Sequence, residues 1–346
     1  MPLPQLRLPD AAVADTNLLE VQQLVFFASH TLDDADLRLY RHYSRQLRYG
    51  HDSRSMRLWM MLYRPWEAGV LAGAASDELG EGVCVWGDAA LRTLFPRLAV
   101  SIDTHQGMAS TPEANHRRYF WFHASLMVWN ASFGHAYPNV KYWWRIEPDV
   151  LFSGSWAALL RHTLAHPRSG SDDVLLPRLT TYMQDPKSYP HWQYNMDILK
   201  NIPKERWVYS LVSVGRYSTR FLHHMTELWA AGILGYEEIF LPMACIALSQ
   251  PACKLGSFQK LRSAGWRTTQ VANYFRFRPN WHCSEFLPAG IAHTQELWHP
   301  VKHRECWVNY LDSCTADGCN ASLALDVTPP LLGREKRPNQ TPRKKG

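Results

Sequence analysis

The stretch Lys141-Tyr-Trp-Trp-Arg-Ile-Glu-Pro-Asp-Val-Leu-Phe-Ser-Gly-Ser-Trp156 runs an apolar segment into two carboxylates, Glu147 and Asp149. Residues at i and i+2 on an extended chain point the same way, so both acids can face one site. Pro148 between them fixes the backbone and removes an N–H, a rigid support for a metal site. Two hard oxygen ligands suit Mn²⁺ or Mg²⁺, which would also hold the phosphates of a nucleotide. Taken alone, a Glu-Pro-Asp at a strand end is also a turn with solvated acids.

Two other groups of polar residues have spacing worth noting. Gly235-Tyr-Glu-Glu-Ile-Phe-Leu-Pro242 sets Glu237 and Glu238 at the start of a helix. The macrodipole favours carboxylates there, so capping accounts for them, and service as a proton-accepting base is the alternative. His282, Cys283, His303 and Cys306 can be drawn as a zinc site. Their spacing fits no standard finger, and a Cys283–Cys306 disulfide explains the thiols equally well.

The elements that position these residues follow from apolar patterning. Gln23–Ser29, Arg57–Tyr63, Gly82–Trp86 and Lys141–Ile146 read as strands. Asp33–Tyr49, Asp88–Leu94 and His116–Phe133 read as helices between them. That alternation predicts an α/β fold, a Rossmann-like, mainly parallel sheet flanked by helices. The glutamate-proline-aspartate turn then lies at a strand's carboxyl end, where ligands of open sheets gather. Further on, Asp173–Pro177 and Tyr209–Val214 suggest strands, and Ser218–Ala231 and Glu237–Leu248 helices. The expected organisation is a leader over 1–20, one catalytic domain over 21–312 with halves at 21–160 and 161–312, and a disordered tail over 313–346.

YWWRIEPDVLFSGSW resembles the strand-end acidic motif of GT-A (nucleotide-diphospho-sugar transferase) glycosyltransferases, in a Glu-Pro-Asp form of the DxD element. It is similar to the Tyr-Trp-Arg-x-Glu-Pro stretch of yeast Golgi α-1,2-mannosyltransferases over about a dozen residues. The resemblance implies Asp149 as a direct metal ligand, with Glu147 a second ligand or nearer the sugar or ribose. It places Asp33 and Asp34 near the nucleotide base or ribose, and Trp156 on the substrate side. In Trp-His-Pro-Val-Lys it implies His299 as a late metal ligand and Lys302 as a charge on the diphosphate. It also implies that Glu238, or else Glu237, is the base of an inverting reaction.

Bulk properties set the partners. The net charge is +6, and the segment from Gly333 to the end carries five of those charges, leaving the rest almost neutral. No basic stripe with interleaved aromatics occurs elsewhere, which argues against nucleic acid. No apolar run is long enough to span a membrane, and the first fifteen residues show no basic flank followed by an apolar stretch. Six of the seven cysteines lie between Cys245 and Cys319, without a CxxC pair. Cys245 with Cys253, and Cys314 with Cys319, are disulfide candidates that would suit an oxidising lumen. Sequons stand at Asn130, Asn320 and Asn339.

The resulting expectation is a metal-dependent transferase of the Golgi or secretory-pathway lumen. Its donor would be a UDP- or GDP-sugar and its acceptor a glycan or glycoprotein hydroxyl. Two other readings compete: a glycoside hydrolase pairing Glu147 with Glu238, and a non-catalytic carbohydrate-binding protein on a degenerate transferase fold.

Overall fold

The computed structural model describes residues 18–30, 33–48, 55–64, 71–73, 82–104, 123–166, 170–185, 192, 196–258, 274–275, 280–282, 297–302, 304–312, 314–315 and 318–319. The first strands are β1 (Gln23–Ser29), β2 (Met56–Tyr63), β3 (Leu71–Gly73), β4 (Gly82–Trp86) and β5 (Tyr142–Ile146). Then come β6 (Leu151–Phe152), β7 (Val174–Leu176), β8 (Thr180–Thr181), β9 (Val208–Tyr209) and β10 (Val214–Ser218). The last are β11 (Leu255–Ser257), β12 (Tyr274–Phe275), β13 (Leu297–His299), β14 (Cys314–Thr315) and β15 (Gly318–Cys319). The first helices are α1 (Asp34–Arg48), α2 (Asp88–Leu94), α3 (Pro96–Thr104), α4 (Ala124–Phe133) and α5 (Trp156–Ala165). They are followed by α6 (Met196–Leu199), α7 (Thr219–Ala230), α8 (Glu237–Ala247) and α9 (Glu305–Asp312).

One eight-stranded sheet, in the order β11-β7-β10-β5-β1-β2-β4-β3, carries the fold. Its centre, β5-β1-β2-β4, is parallel; β10 and β3 run antiparallel to their neighbours. This is the mixed α/β, mainly parallel sheet expected. A strand in the middle of such a sheet is covered on both faces, so it reads as a continuous apolar run rather than an alternating one. β1, with the sequence QLVFFAS, is that strand.

Alternation along β1 sends Leu24 and Phe26 to one face and Val25 and Phe27 to the other. The first face packs Phe26, Trp59, Trp129, Trp143 and Tyr217 beneath α2, α3, α4, α7 and α8. The second packs Phe27, Tyr40, Tyr43, Trp144 and Trp156 beneath α1, α5 and α9. The indole of Trp59 lies directly over Gly82: a Cβ there would come within 1.8 Å of the ring. Much of the tryptophan excess is therefore core.

α1 begins immediately after Asp33, whose Oδ1 accepts the Asp36 N–H at 2.7 Å, an N-cap interaction. Its apolar stripe, Leu39, Tyr40, Tyr43 and Leu47, has helical spacing and is buried. The expected strand Tyr209–Val214 is divided. β9 ends at Tyr209, β10 begins at Val214, and residues 210–213 form a loop. Ser213 continues the β5–β10 pairing for one more bond, its carbonyl accepting the Glu147 N–H, while the Val212 carbonyl leaves the ladder and accepts from the Arg145 side chain.

Cys245 and Cys253 form the expected disulfide. Cys314 and Cys319 lie opposite each other in the β14–β15 ladder. Cys306 is disulfide-bonded, which removes its thiol from any zinc site; Cys283 and His303 lie outside the described residues. Among the described residues no helix is long and apolar enough to cross a membrane.

Candidate metal and nucleotide site

The chain lays β2 and β4 outward from one side of β1, then returns to place β5 on the other side. Strand order reverses between β1 and β5, and crevices at such reversals are where open α/β sheets hold ligands. Glu147 and Asp149 follow β5 at this point, and Asp33 follows β1. The end of β5 is well tied. Glu147 N–H donates to the Ser213 carbonyl at 2.9 Å, and Val150 N–H closes a turn on the Glu147 carbonyl at 3.1 Å.

A second sheet brings the distant histidine in. β6 starts two residues after Asp149 and pairs antiparallel with β13, Leu297 opposite Phe152 and Trp298 opposite Leu151. That register carries His299 back toward the acids, and Val301 N–H donates to the Asp149 carbonyl at 3.0 Å. His299 Nε2 ends 4.0 Å from Glu147 Oε2 and 3.8 Å from Asp149 Oδ1. All three residues are buried, and one ligand atom from each lies within 4.8 Å of the others.

This donor set fits a hard divalent cation. Ligands on an octahedral ion with bonds of about 2.1 Å stand roughly 3 Å apart when adjacent and roughly 4.2 Å when opposite; the 3.8 and 4.0 Å separations fall in that span. Two carboxylates with one imidazole suit Mn²⁺ or Mg²⁺ better than a thiophilic metal.

Cations surround the cluster. Lys302 Nζ donates to Asp149 Oδ2, although 57% of the lysine side chain is exposed. Arg145, buried in the strand, meets Glu147 Oε1 at 3.0 Å and the Val212 carbonyl at 3.2 Å. Burial works to raise the pKa of Asp149, but His299, Lys302 and Arg304 outweigh it and hold the carboxyl below its usual range. Arg304 itself bridges Asp33 at 2.8 Å and Asp36 at 2.5 Å.

The remaining sequence candidates fall in different places. Both oxygens of Asp33 are engaged, one capping α1 and the other on Arg304, so its visible work is structural. Trp156, expected on the substrate side, has no exposed surface; it packs edge-on to Tyr43 and against Phe152. That correction has a simple cause: Trp156 is the first residue of α5 and faces the sheet. Glu237 is fully buried at the head of α8, and burial, together with the charges of Glu147 and Glu238, pushes its carboxyl well above the ordinary range despite Arg145. That direction favours the protonated form and runs against service as a proton-accepting base. Glu238 is buried beside it, with its carbonyl accepting the Ser210 N–H at 2.9 Å.

Sequence reasoning missed Arg145, Ser213 and Arg304. Ser213 Oγ lies 2.8 Å from His299 Nε2. An arginine inside an otherwise apolar strand, next to the acidic turn, was the one available signal.

No protein-family model and no curated protein matches the chain. Among solved structures it is similar to core-mannan synthase A of Aspergillus fumigatus in its Mn/GDP form, at 12% identity over 74% of this chain and 79% of that one, TM-score 0.33. It is also similar to the S. cerevisiae mannosyltransferase Ktr4p, at 12% identity over 75% of this chain and 74% of that one, TM-score 0.37. A third is mouse xyloside xylosyltransferase 1, apo form, at 12% identity over 81% of this chain and 96% of that one, TM-score 0.35. Superpositions this loose carry no functional argument.

Proposed function

We propose that this chain is a metal-dependent GT-A glycosyltransferase that moves a sugar from a UDP- or GDP-sugar to a hydroxyl of a glycan or glycoprotein. The observation that carries the reading is the convergence of Glu147, Asp149 and His299, buried and within 4.8 Å, at the sheet's switch point. The acidic motif's resemblance to the GT-A element supports it from the sequence side. The alternative of paired catalytic carboxylates has no comparable support, because Glu147 is committed to Arg145 and faces a histidine.

Glu147, Asp149 and His299 would hold Mn²⁺ or Mg²⁺. When bound, the ion supplies positive charge to the diphosphate of the donor. Lys302, on a mostly exposed stem, reaches the same diphosphate and stabilises the charge it gains as the bond to the anomeric carbon breaks. The acceptor oxygen forms the new bond to that carbon, and its proton passes to Glu238 as general base. Arg145 and Ser213 keep Glu147 and His299 in place. A secretory-pathway lumen, the Golgi, suits the Cys245–Cys253 disulfide.

The test is a turnover assay of purified protein with a panel of UDP- and GDP-sugars, Mn²⁺ and a mixture of glycan acceptors, reading nucleoside diphosphate release. Release that needs metal and is lost in Asp149→Asn supports the reading. Metal-independent sugar release from a preformed glycoside would instead establish the hydrolase.

A further inference from the structure

Ser213 touches the cluster at His299. Its Oγ is 2.8 Å from His299 Nε2, the same nitrogen that faces Glu147 and Asp149. The backbone that carries the hydroxyl is tied down. Glu147 N–H donates to the Ser213 carbonyl at 2.9 Å, and Arg145 takes the neighbouring Val212 carbonyl at 3.2 Å. The next residue, Val214, is already paired with Ile146 in the sheet. Ser213 is itself buried.

Adjacent ligands on an octahedral ion stand roughly 3 Å apart. A hydroxyl 2.8 Å from a ligand nitrogen has the spacing of the next ligand on the same ion. Three protein donors leave such an ion short of its preferred six oxygens and nitrogens, and a neutral hydroxyl adds a hard donor without adding charge.

We propose that Ser213 is a fourth protein ligand of the divalent cation, through Oγ, beside Glu147, Asp149 and His299. This rests on the metal reading of that cluster. A purely structural serine predicts the opposite sign. A hydroxyl that only donated to Nε2 would occupy the lone pair the ion needs, so deleting it would tighten metal binding.

The experiment is a calorimetric titration of the full chain with Mn²⁺ and, separately, Cd²⁺, without nucleotide. It compares wild type, Asp149→Asn, Ser213→Ala and Ser213→Cys. Wild type should bind Mn²⁺ and Asp149→Asn should not. Ser213→Ala should weaken Mn²⁺ by roughly tenfold or more, and Ser213→Cys should shift preference toward Cd²⁺, because thiolate selects soft metals. Unchanged or tighter Mn²⁺ binding in Ser213→Ala, with no gain for Cd²⁺ in Ser213→Cys, overturns the serine's role and leaves the cluster standing. Should the alanine variant fail to fold, the Cd²⁺ preference of the cysteine variant decides by itself. Absence of Asp149-dependent Mn²⁺ binding in wild type overturns the metal reading, which is a different failure.

Discussion

Arg145 Nη2 and Glu147 Oε1 meet at 3.0 Å in a buried ion pair, two residues apart at the end of the central strand. The pair occupies one oxygen of Glu147 and leaves Oε2 on the side of His299. Removing one partner of a buried pair strands the other charge, which costs about 3–5 kcal/mol. Arg145→Met should therefore lower unfolding stability by that order in urea at pH 7. Arg145→Lys keeps the charge but loses the fork to the Val212 carbonyl, and should fall between the two.

Glu237 and Asp149 respond to pH with opposite signs. Asp149 is held below its usual range, so its contribution is present above the unfolded carboxylate pKa of about 3.9 and is lost as acid titrates the folded group. Glu237 is held well above, so the unfolded chain ionises first and stability falls as pH rises from about 4.3 toward its folded value. Each unit of that elevation costs about 1.4 kcal/mol once both states lie on the alkaline side. Glu237→Gln, which mimics the neutral acid, should raise Tm at pH 8 and change it little at pH 4. An equal effect at both pH values would show that the Glu237 carboxyl is not raised.

On the proposed metal site, Lys302 and a divalent ion would compete for Asp149, because the ammonium donates to one of its oxygens. Lys302→Met should raise Mn²⁺ affinity several-fold without nucleotide, while weakening UDP or GDP binding in the presence of Mn²⁺. Titrations in both formats check it; weaker Mn²⁺ binding in the variant would contradict the competition.

Trp156→Ala should act as a core deletion. Large aromatic-to-alanine changes in cores cost about 3–5 kcal/mol, and Trp156 is fully buried against Tyr43 and Phe152. The expected result is a lower Tm, with nucleotide affinity of the remaining folded protein little changed.

What could be read from sequence follows the range of the interaction. β1, β4 and α2 take the residues their local patterns indicate, because burial on a parallel sheet writes itself into consecutive apolar residues. The two acids of the site were visible for the same reason, being attached to β5. His299 and Lys302 were placed by resemblance rather than by pattern. They arrive through a three-residue strand that pairs across the fold, with Lys302 reaching an acid 153 residues away. Nothing local encodes that register. Trp156 was misplaced because an indole in a motif looks the same whether it faces a ligand or a sheet. The 210–213 loop was hidden because Tyr209–Val214 has strand-like composition, while its backbone partners, Glu238 for the Ser210 N–H and Arg145 for the Val212 carbonyl, are distant in sequence.

The most direct measurement is thermal melting of the purified chain against UDP and GDP, each with Mn²⁺ and with EDTA. A ligand at about 100 times its Kd adds roughly 2.7 kcal/mol, a readily visible shift in midpoint. The expected result is a shift with one of the two nucleotides that requires Mn²⁺ and disappears in Asp149→Asn. A well-folded protein that shifts with neither nucleotide, or shifts equally in EDTA, would contradict it.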